Sequence, residues 1–228
     1  MKNFKDLPLR ERKASKKRLA IIDASILLLK DKRLAEIKIE DICDIAEISR
    51  STFFAYFSRK QELLVYNIRL WGLQIGWEMA QIPREKLGLR YIEKMYMEMA
   101  SHMKIERKYW ADVMSLRASE PELIHRINTD PTPMIPVSDR LQRFPDKEGI
   151  DTFPEGTIYS ITRTNLSIAV EKGELPPDTD VNSALIALNS VLYGVPVILG
   201  GAADMDRVGE EMAKQLKMIW KGLGGGID

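Results

Sequence analysis

Between Ile37 and Leu64 the hydrophobic pattern starts, breaks and restarts within a few residues. Ile39, Ile42, Cys43 and Ala46 stand at i, i+3, i+4 and i+7, one face of a helix. Glu47, Ile48 and Ser49 interrupt it, and the Ser49 side-chain oxygen can cap a second helix from about Arg50 to Phe57. Phe53 and Phe57, at i and i+4, turn inward, while Ser51, Thr52, Ala55 and Tyr56 face elsewhere. Ser58 followed by Gln61 makes a capping-box pattern for a third helix, which runs to Gln81 and stops before Pro83. Two short helices joined by a tight turn form a helix-turn-helix, whose second helix can lie in a DNA major groove.

The same period recurs along the rest of the chain. Residues 1–14 are mostly charged and read as a mobile arm. Ser15 to Lys32 reads as a helix that sets Leu19, Ile22, Ile26 and Leu29 against the helix-turn-helix. Ile22, Ile26, Ile42, Phe53 and Phe57 would be its small core. Leu87 to Met103, Ile105 to Ser119, and Thr157 to Lys172 read as helices, the last closed by Gly173. Val181 to Leu199, with a kink before Pro196, and Asp204 to Leu223 complete an all-α chain of about nine helices. Pro121 to Gly156 holds six prolines and reads as a lid or insertion with one short helix, Val137 to Phe144. Gly222 to Asp228 reads as a flexible tail.

The run Ser49-Arg50-Ser51-Thr52-Phe53-Phe54-Ala55-Tyr56-Phe57-Ser58-Arg59-Lys60, preceded by Ile42 and Ala46, resembles the DNA-binding signature of the TetR family of bacterial transcriptional regulators. The resemblance covers roughly residues 15–64; beyond them it is one of helix pattern and length. It implies a DNA-binding domain over residues 1–62 and a ligand-binding and dimerisation domain over 63–228. Ser49, Ser51, Thr52 and Tyr56 would hold phosphates. Arg50 and Phe54 would meet base edges, a guanidinium on guanine and a ring on a thymine methyl. Ala55 is small enough for close approach, and Lys38 and Lys60 would reach phosphates. Two positions depart from the family pattern. Glu47 stands where Gly is usual in the turn, a strained choice if φ is positive. Lys38, which cannot cap, replaces a capping Thr.

The resemblance also implies a homodimer on a near-palindromic operator, released by a small effector, in the sense of a repressor. Trp71, Trp77, Met95, Met99, His102, Trp110 and Met114 are the candidates for a small apolar or aromatic ligand. Methionine adapts to irregular shapes and aromatic rings supply flat walls; plain core packing competes at each position. Ala184, Leu188, Val191, Leu192 and Val195, with Met212, Leu216, Ile219 and Trp220, supply apolar stripes for a four-helix dimer interface, a reading compatible with packing inside the chain. A ligand-independent DNA-binding dimer, an activator, or an enzyme using a helix-turn-helix for protein contact are the alternatives.

Charge supports a DNA-binding end. Net charge is +1 overall, but residues 1–62 carry +5 and the remainder −4. The basic run Arg10, Arg12, Lys13, Lys16, Lys17 and Arg18 is either a phosphate contact or a solvated face. The single cysteine, Cys43, excludes an internal disulfide and reads as a small buried thiol. No secretory signal is visible, and the expected location is cytoplasmic. Val181 to Ala203 is uncharged over 23 residues, but Asn182, Asn189, Ser190, Gly194 and Pro196 favour a buried helix over a membrane span. His102 and His125 are the only histidines, so no metal-ligand spacing, and no phosphate loop or nucleophile motif, suggests a cofactor or catalysis.

Overall fold

The structure, a computed structural model, describes residues 3–122, 134–199 and 205–225. Among these residues are ten α-helices and no strand. They are α1 (Leu9–Leu29), α2 (Ile39–Ile45), α3 (Arg50–Tyr56), α4 (Gln61–Ala80), α5 (Leu89–Ile105), α6 (Arg107–Ser119), α7 (Val137–Arg143), α8 (Ile158–Glu171), α9 (Val181–Ile198) and α10 (Val208–Gly222). Two compact units result: Met1–Met79 with Lys108–Thr157, and Ala80–Arg107 with Ile158–Asp228. Packing therefore does not divide at residue 62. Almost all of α4 and α6, and the segment around α7, belong to the same unit as the N-terminal helices.

In the first unit, residues 3–14 form defined structure where the sequence reads as an arm. The Asn3 side chain caps a 3-10 turn over Phe4–Asp6, Pro8 follows, and α1 starts at Leu9 rather than near Ser15. Ile22, Ile42, Phe53 and Phe57 form the expected small core, with Ile21 and Leu29 beside them; Ile26 is only half-buried. Ser58 gives both its N–H (2.8 Å) and its hydroxyl (2.6 Å) to the Glu62 carboxylate, so Glu62 rather than Gln61 completes the start of α4. Along α4, a Cβ at Gly72 would fall 2.3 Å from the Gly156 carbonyl oxygen, so glycine is what lets the segment after α7 lie on the helix. That segment is held by a buried cluster. Arg140 donates to the carbonyls of Ile135 (2.9 Å) and Phe153 (2.6 Å) and to Glu155 (2.7 Å). The prolines at 131 and 133, and His125, lie outside the described residues.

In the second unit α5 buries Leu89, Ile92, Met95, Tyr96, Met99 and Met103. Its first turn is capped from a distance: Gly88 N–H reaches Asn165 Oδ1 (3.0 Å) and Leu89 N–H reaches Glu174 Oε2 (2.9 Å). The α8 helix ends in a Schellman motif with Gly173 at φ +74°, as its sequence predicts. Asp180 caps α9 through Asn182 and Ser183, and these bonds hold its carboxyl below the usual carboxylate range. Pro196 sits in the last turn of α9, so the helix ends there without an interior break. A 3-10 turn, Met205–Arg207, precedes α10; the expected start at Asp204, like Gly200, Gly201 and Ala203, lies outside the described residues. By length and composition α9 is apolar enough to cross a membrane, but Ala184, Leu185, Leu188 and Leu192 on it are buried within the unit.

Candidate nucleic-acid interface

The turn between α2 and α3 is a second Schellman motif. Ile48 N–H bonds the Cys43 carbonyl (3.0 Å) and Glu47 N–H bonds that of Asp44 (3.3 Å). This geometry puts Glu47 at φ +52°, the left-handed region where a Cβ is strained. Ser49 then caps α3: its oxygen accepts from Thr52 N–H at 3.2 Å and lies 2.9 Å from the hydroxyls of both Ser51 and Thr52. Phe53 and Phe57 point into the core, so the opposite face of α3 is turned outward. It presents Arg50, Ser51, Phe54 and Ala55, with Thr52 and Tyr56 half-exposed at its flanks.

Phe54 is 45% exposed, with its ring edge to face on buried Phe53 at 5.4 Å, so part of the ring is open to a ligand. The Arg50 guanidinium lies 5.7 Å from its ring centre and bonds Glu40 at 2.7 Å. That ion pair is exposed on both sides and worth at most about 1 kcal/mol, so a phosphate or base can take Arg50 from Glu40 at small cost. Cys43 on α2 is buried, and burial, with Glu40 and Asp44 nearby, pushes its thiol pKa up, away from reactivity.

The two lysines differ. Lys38 is exposed just before α2, where its N–H meets Asp41 at 3.4 Å. Lys60, expected at a phosphate, instead donates to the carbonyls of Leu34 (2.7 Å), Ile37 (2.6 Å) and Ala35 (3.4 Å), bracing the loop between α1 and α2. An ammonium has three protons, and this arrangement uses them inside the protein.

One cluster escaped sequence reasoning. Arg18 is a bidentate donor to Asp139 (2.6 and 2.7 Å), and Tyr66 donates its hydroxyl to the same carboxylate (2.5 Å). Burial, then the Asp139 charge, pushes the Tyr66 pKa well above the ordinary phenol value. In the sequence Arg18 is only one charge in a basic run. Its partner lies 121 residues away, a separation that leaves no local signal.

The other candidate sets divide between the units. Trp71, Trp77, Trp110 and Met114 belong to the first, Met95, Met99 and His102 to the second. Trp71 and Trp110 meet edge to face at 5.6 Å. Trp77 donates to the Glu148 carbonyl (2.8 Å) beneath the Lys147 ammonium, so it serves the segment after α7. Met95 and Met99 are core residues and His102 is exposed. Of the residues assigned to a dimer face, Ala184, Leu188, Val191, Leu192, Val195, Met212, Leu216 and Trp220 are buried inside their own unit, and Ile219 is half-buried. The periodic stripe in the sequence is thus the inward one. The outward faces of these helices carry Ile186, Val197, Ile198 and Met218, between 63% and 83% exposed. Among the described residues, no group of His, Cys, Asp and Glu is arranged to hold a metal ion.

No protein-family model and no curated protein matches the chain. Solved structures do. Salmonella enterica GusR is 16% identical, with a TM-score of 0.59 over 91% of this chain and 95% of that one. Looser likenesses include a FadR transcriptional regulator from Bacillus subtilis solved with stearoyl-CoA (15% identity, 87% and 96% of the two chains, TM-score 0.48). Another is a TetR family regulator from Chloroflexus aurantiacus (15%, 96% and 95%, TM-score 0.42). At such identities the likeness is one of fold: the described residues form an all-helical fold similar to that of GusR.

Proposed function

We propose that this chain is a TetR-type transcriptional regulator that binds double-stranded DNA as a homodimer. The observation that carries this is the outward face of α3: Arg50, Ser51, Phe54 and Ala55 exposed on a short helix that a tight turn sets against α2. In this reading Arg50 and Phe54 read base edges, while Ser49, Ser51, Thr52 and Tyr56, with Lys38, hold phosphates. Lys60 orients the loop before α2 and contributes to DNA binding through that loop.

The dimer is formed by the outer faces of α9 and α10. Ile186, Ser190, Tyr193 and Val197 recur at i, i+4, i+7 and i+11 on α9, and Met218 stands on α10. Exposed apolar residues on two neighbouring helices support a partner of the same kind. Two-fold symmetry in the protein would be mirrored in a near-palindromic operator. The regulator acts in the cytoplasm as a repressor, and a small apolar or aromatic effector releases it. The aromatic pair Trp71 and Trp110 supports the effector's chemistry. The effector would act only through its differential affinity for two arrangements of the DNA-binding heads.

The test is fluorescence anisotropy on DNA from upstream of the protein's own gene, at two salt concentrations, with Arg50→Ala and Tyr56→Ala as controls. Saturable, salt-weakened binding that both variants lose supports the proposal. Failure to bind any duplex at low salt sinks it.

A further inference from the structure

The segment around α7 lies far from the helix-turn-helix in sequence, yet one of its residues stands behind the recognition helix. Asp139 is 0% exposed, and two side chains are fastened to it: Arg18 of α1 and Tyr66 of α4. Each leans on a successive aromatic residue at the end of α3. The Arg18 guanidinium lies over the Tyr56 ring, 5.5 Å from its centre. The Tyr66 ring meets Phe57 edge to face at 5.6 Å. Ser138 adds its hydroxyl to the carboxylate (3.2 Å), and Ser15 of α1 bonds the Ser138 carbonyl (3.1 Å). Arg143 pairs with Asp23, a second tie from α7 to α1.

We infer that Asp139 is a positioning residue for DNA recognition, setting the end of α3, and Tyr56 in particular, through Arg18 and Tyr66. The chemistry makes the link stiff. A bidentate guanidinium and carboxylate pair fixes both plane and distance, and a buried carboxylate does not release its donors without leaving charge unpaired. The cation over the ring and the ring on the ring pass that placement to Tyr56 and Phe57. The segment 134–157 is thereby a second hold on the DNA-binding head, besides the direct run of α4. Any effector or partner that shifts this segment shifts Tyr56.

The inference rests on the proposed DNA binding, and its test separates the two. A duplex is first selected from a random pool on the wild-type full chain. Affinity for it is then measured by anisotropy for Asp139→Asn, Tyr56→Phe and the double variant. Circular dichroism and stoichiometric titration report the folded, active fraction. Tyr56→Phe keeps the ring beneath Arg18 and removes only the hydroxyl. We expect Asp139→Asn to weaken binding roughly tenfold per active molecule, and the double variant to bind no worse than the weaker single one. A general loss of fold would lower the active fraction without this non-additivity. If Asp139→Asn does not fold, Tyr66→Phe, which removes one bond to Asp139, takes its place, with a several-fold loss and the same non-additivity. Unchanged affinity in a folded Asp139→Asn, or losses that simply multiply, overturns the inference and leaves the DNA-binding proposal standing. A wild-type chain that selects no sequence and binds no duplex at low salt removes both.

Discussion

The same backbone motif ends two helices in this chain, once with the residue it favours and once without. Gly173 closes α8 at φ +74°, while Glu47 closes α2 at φ +52°. A residue with a Cβ in this region carries a cost of roughly 1–2 kcal/mol. Replacing Glu47 by Gly removes that cost but adds freedom to the unfolded chain, worth about 0.4–1 kcal/mol. The expected net gain is about 0.5–1 kcal/mol, or an increase of roughly 1–4 °C in melting temperature for a chain of this size. Charge must be separated from backbone, because Glu47 lies at the C-terminal end of α2, where a carboxylate opposes the helix dipole. Glu47→Ala removes the charge and keeps the Cβ, so its stability is the baseline for Glu47→Gly. Gly173→Ala is the mirror experiment: nothing lies within 4 Å of the added Cβ, so it measures the backbone effect alone, as a loss. Urea unfolding of the three variants supplies the free energies. If Glu47→Gly is no more stable than Glu47→Ala, while Gly173→Ala loses the expected amount, the turn before α3 does not hold Glu47 in the left-handed region.

Other outcomes follow from the same contacts. Gly72→Ala pushes a Cβ to 2.3 Å from the Gly156 carbonyl and is expected to cost roughly 1–3 kcal/mol in chemical denaturation; a neutral result would mean that the segment does not lie on α4. Lys60→Met leaves the carbonyls of Leu34 and Ile37 without their charged donor. It should lower thermal stability and DNA affinity together while the salt slope of binding stays unchanged, whereas a phosphate-contacting lysine would reduce that slope by about one. The Tyr66 pKa is raised in the folded state, so its contribution to stability is full below the unfolded value near about 10 and is lost as pH rises beyond it. Tyr66→Phe should therefore flatten the alkaline fall in stability, read by urea unfolding between neutral pH and about 11. Ile186→Asp combined with Met218→Lys, both on outward helix faces, should shift the sedimentation of the proposed dimer toward the monomer without loss of helix content.

Local chemistry wrote much of this protein into its sequence. The spacing of Ile39, Ile42 and Cys43, the cap at Ser49 and the inward pair Phe53 and Phe57 specify two short helices and the outward face of α3. Such signals act over one or two helical turns, where the backbone period alone decides which residues are neighbours. For the same reason the strain at Glu47 was legible as a conditional: the sequence named the unusual residue, and only the turn supplied its positive φ. Tertiary structure decided what each stripe and charge meets. Periodicity marked the apolar stripe on α9 and α10, but Leu188, Leu192, Met212 and Leu216 proved to be the inward side, leaving Ile186 and Met218 outside. Lys60 looked like any phosphate-seeking lysine until the loop between α1 and α2 brought carbonyls to it. The pairing of Arg18 with Asp139 joins residues 121 apart. A sequence sets the period of its faces by short-range geometry; the choice of partner for each face depends on contacts closed across long loops, which leave no pattern in the residues between them.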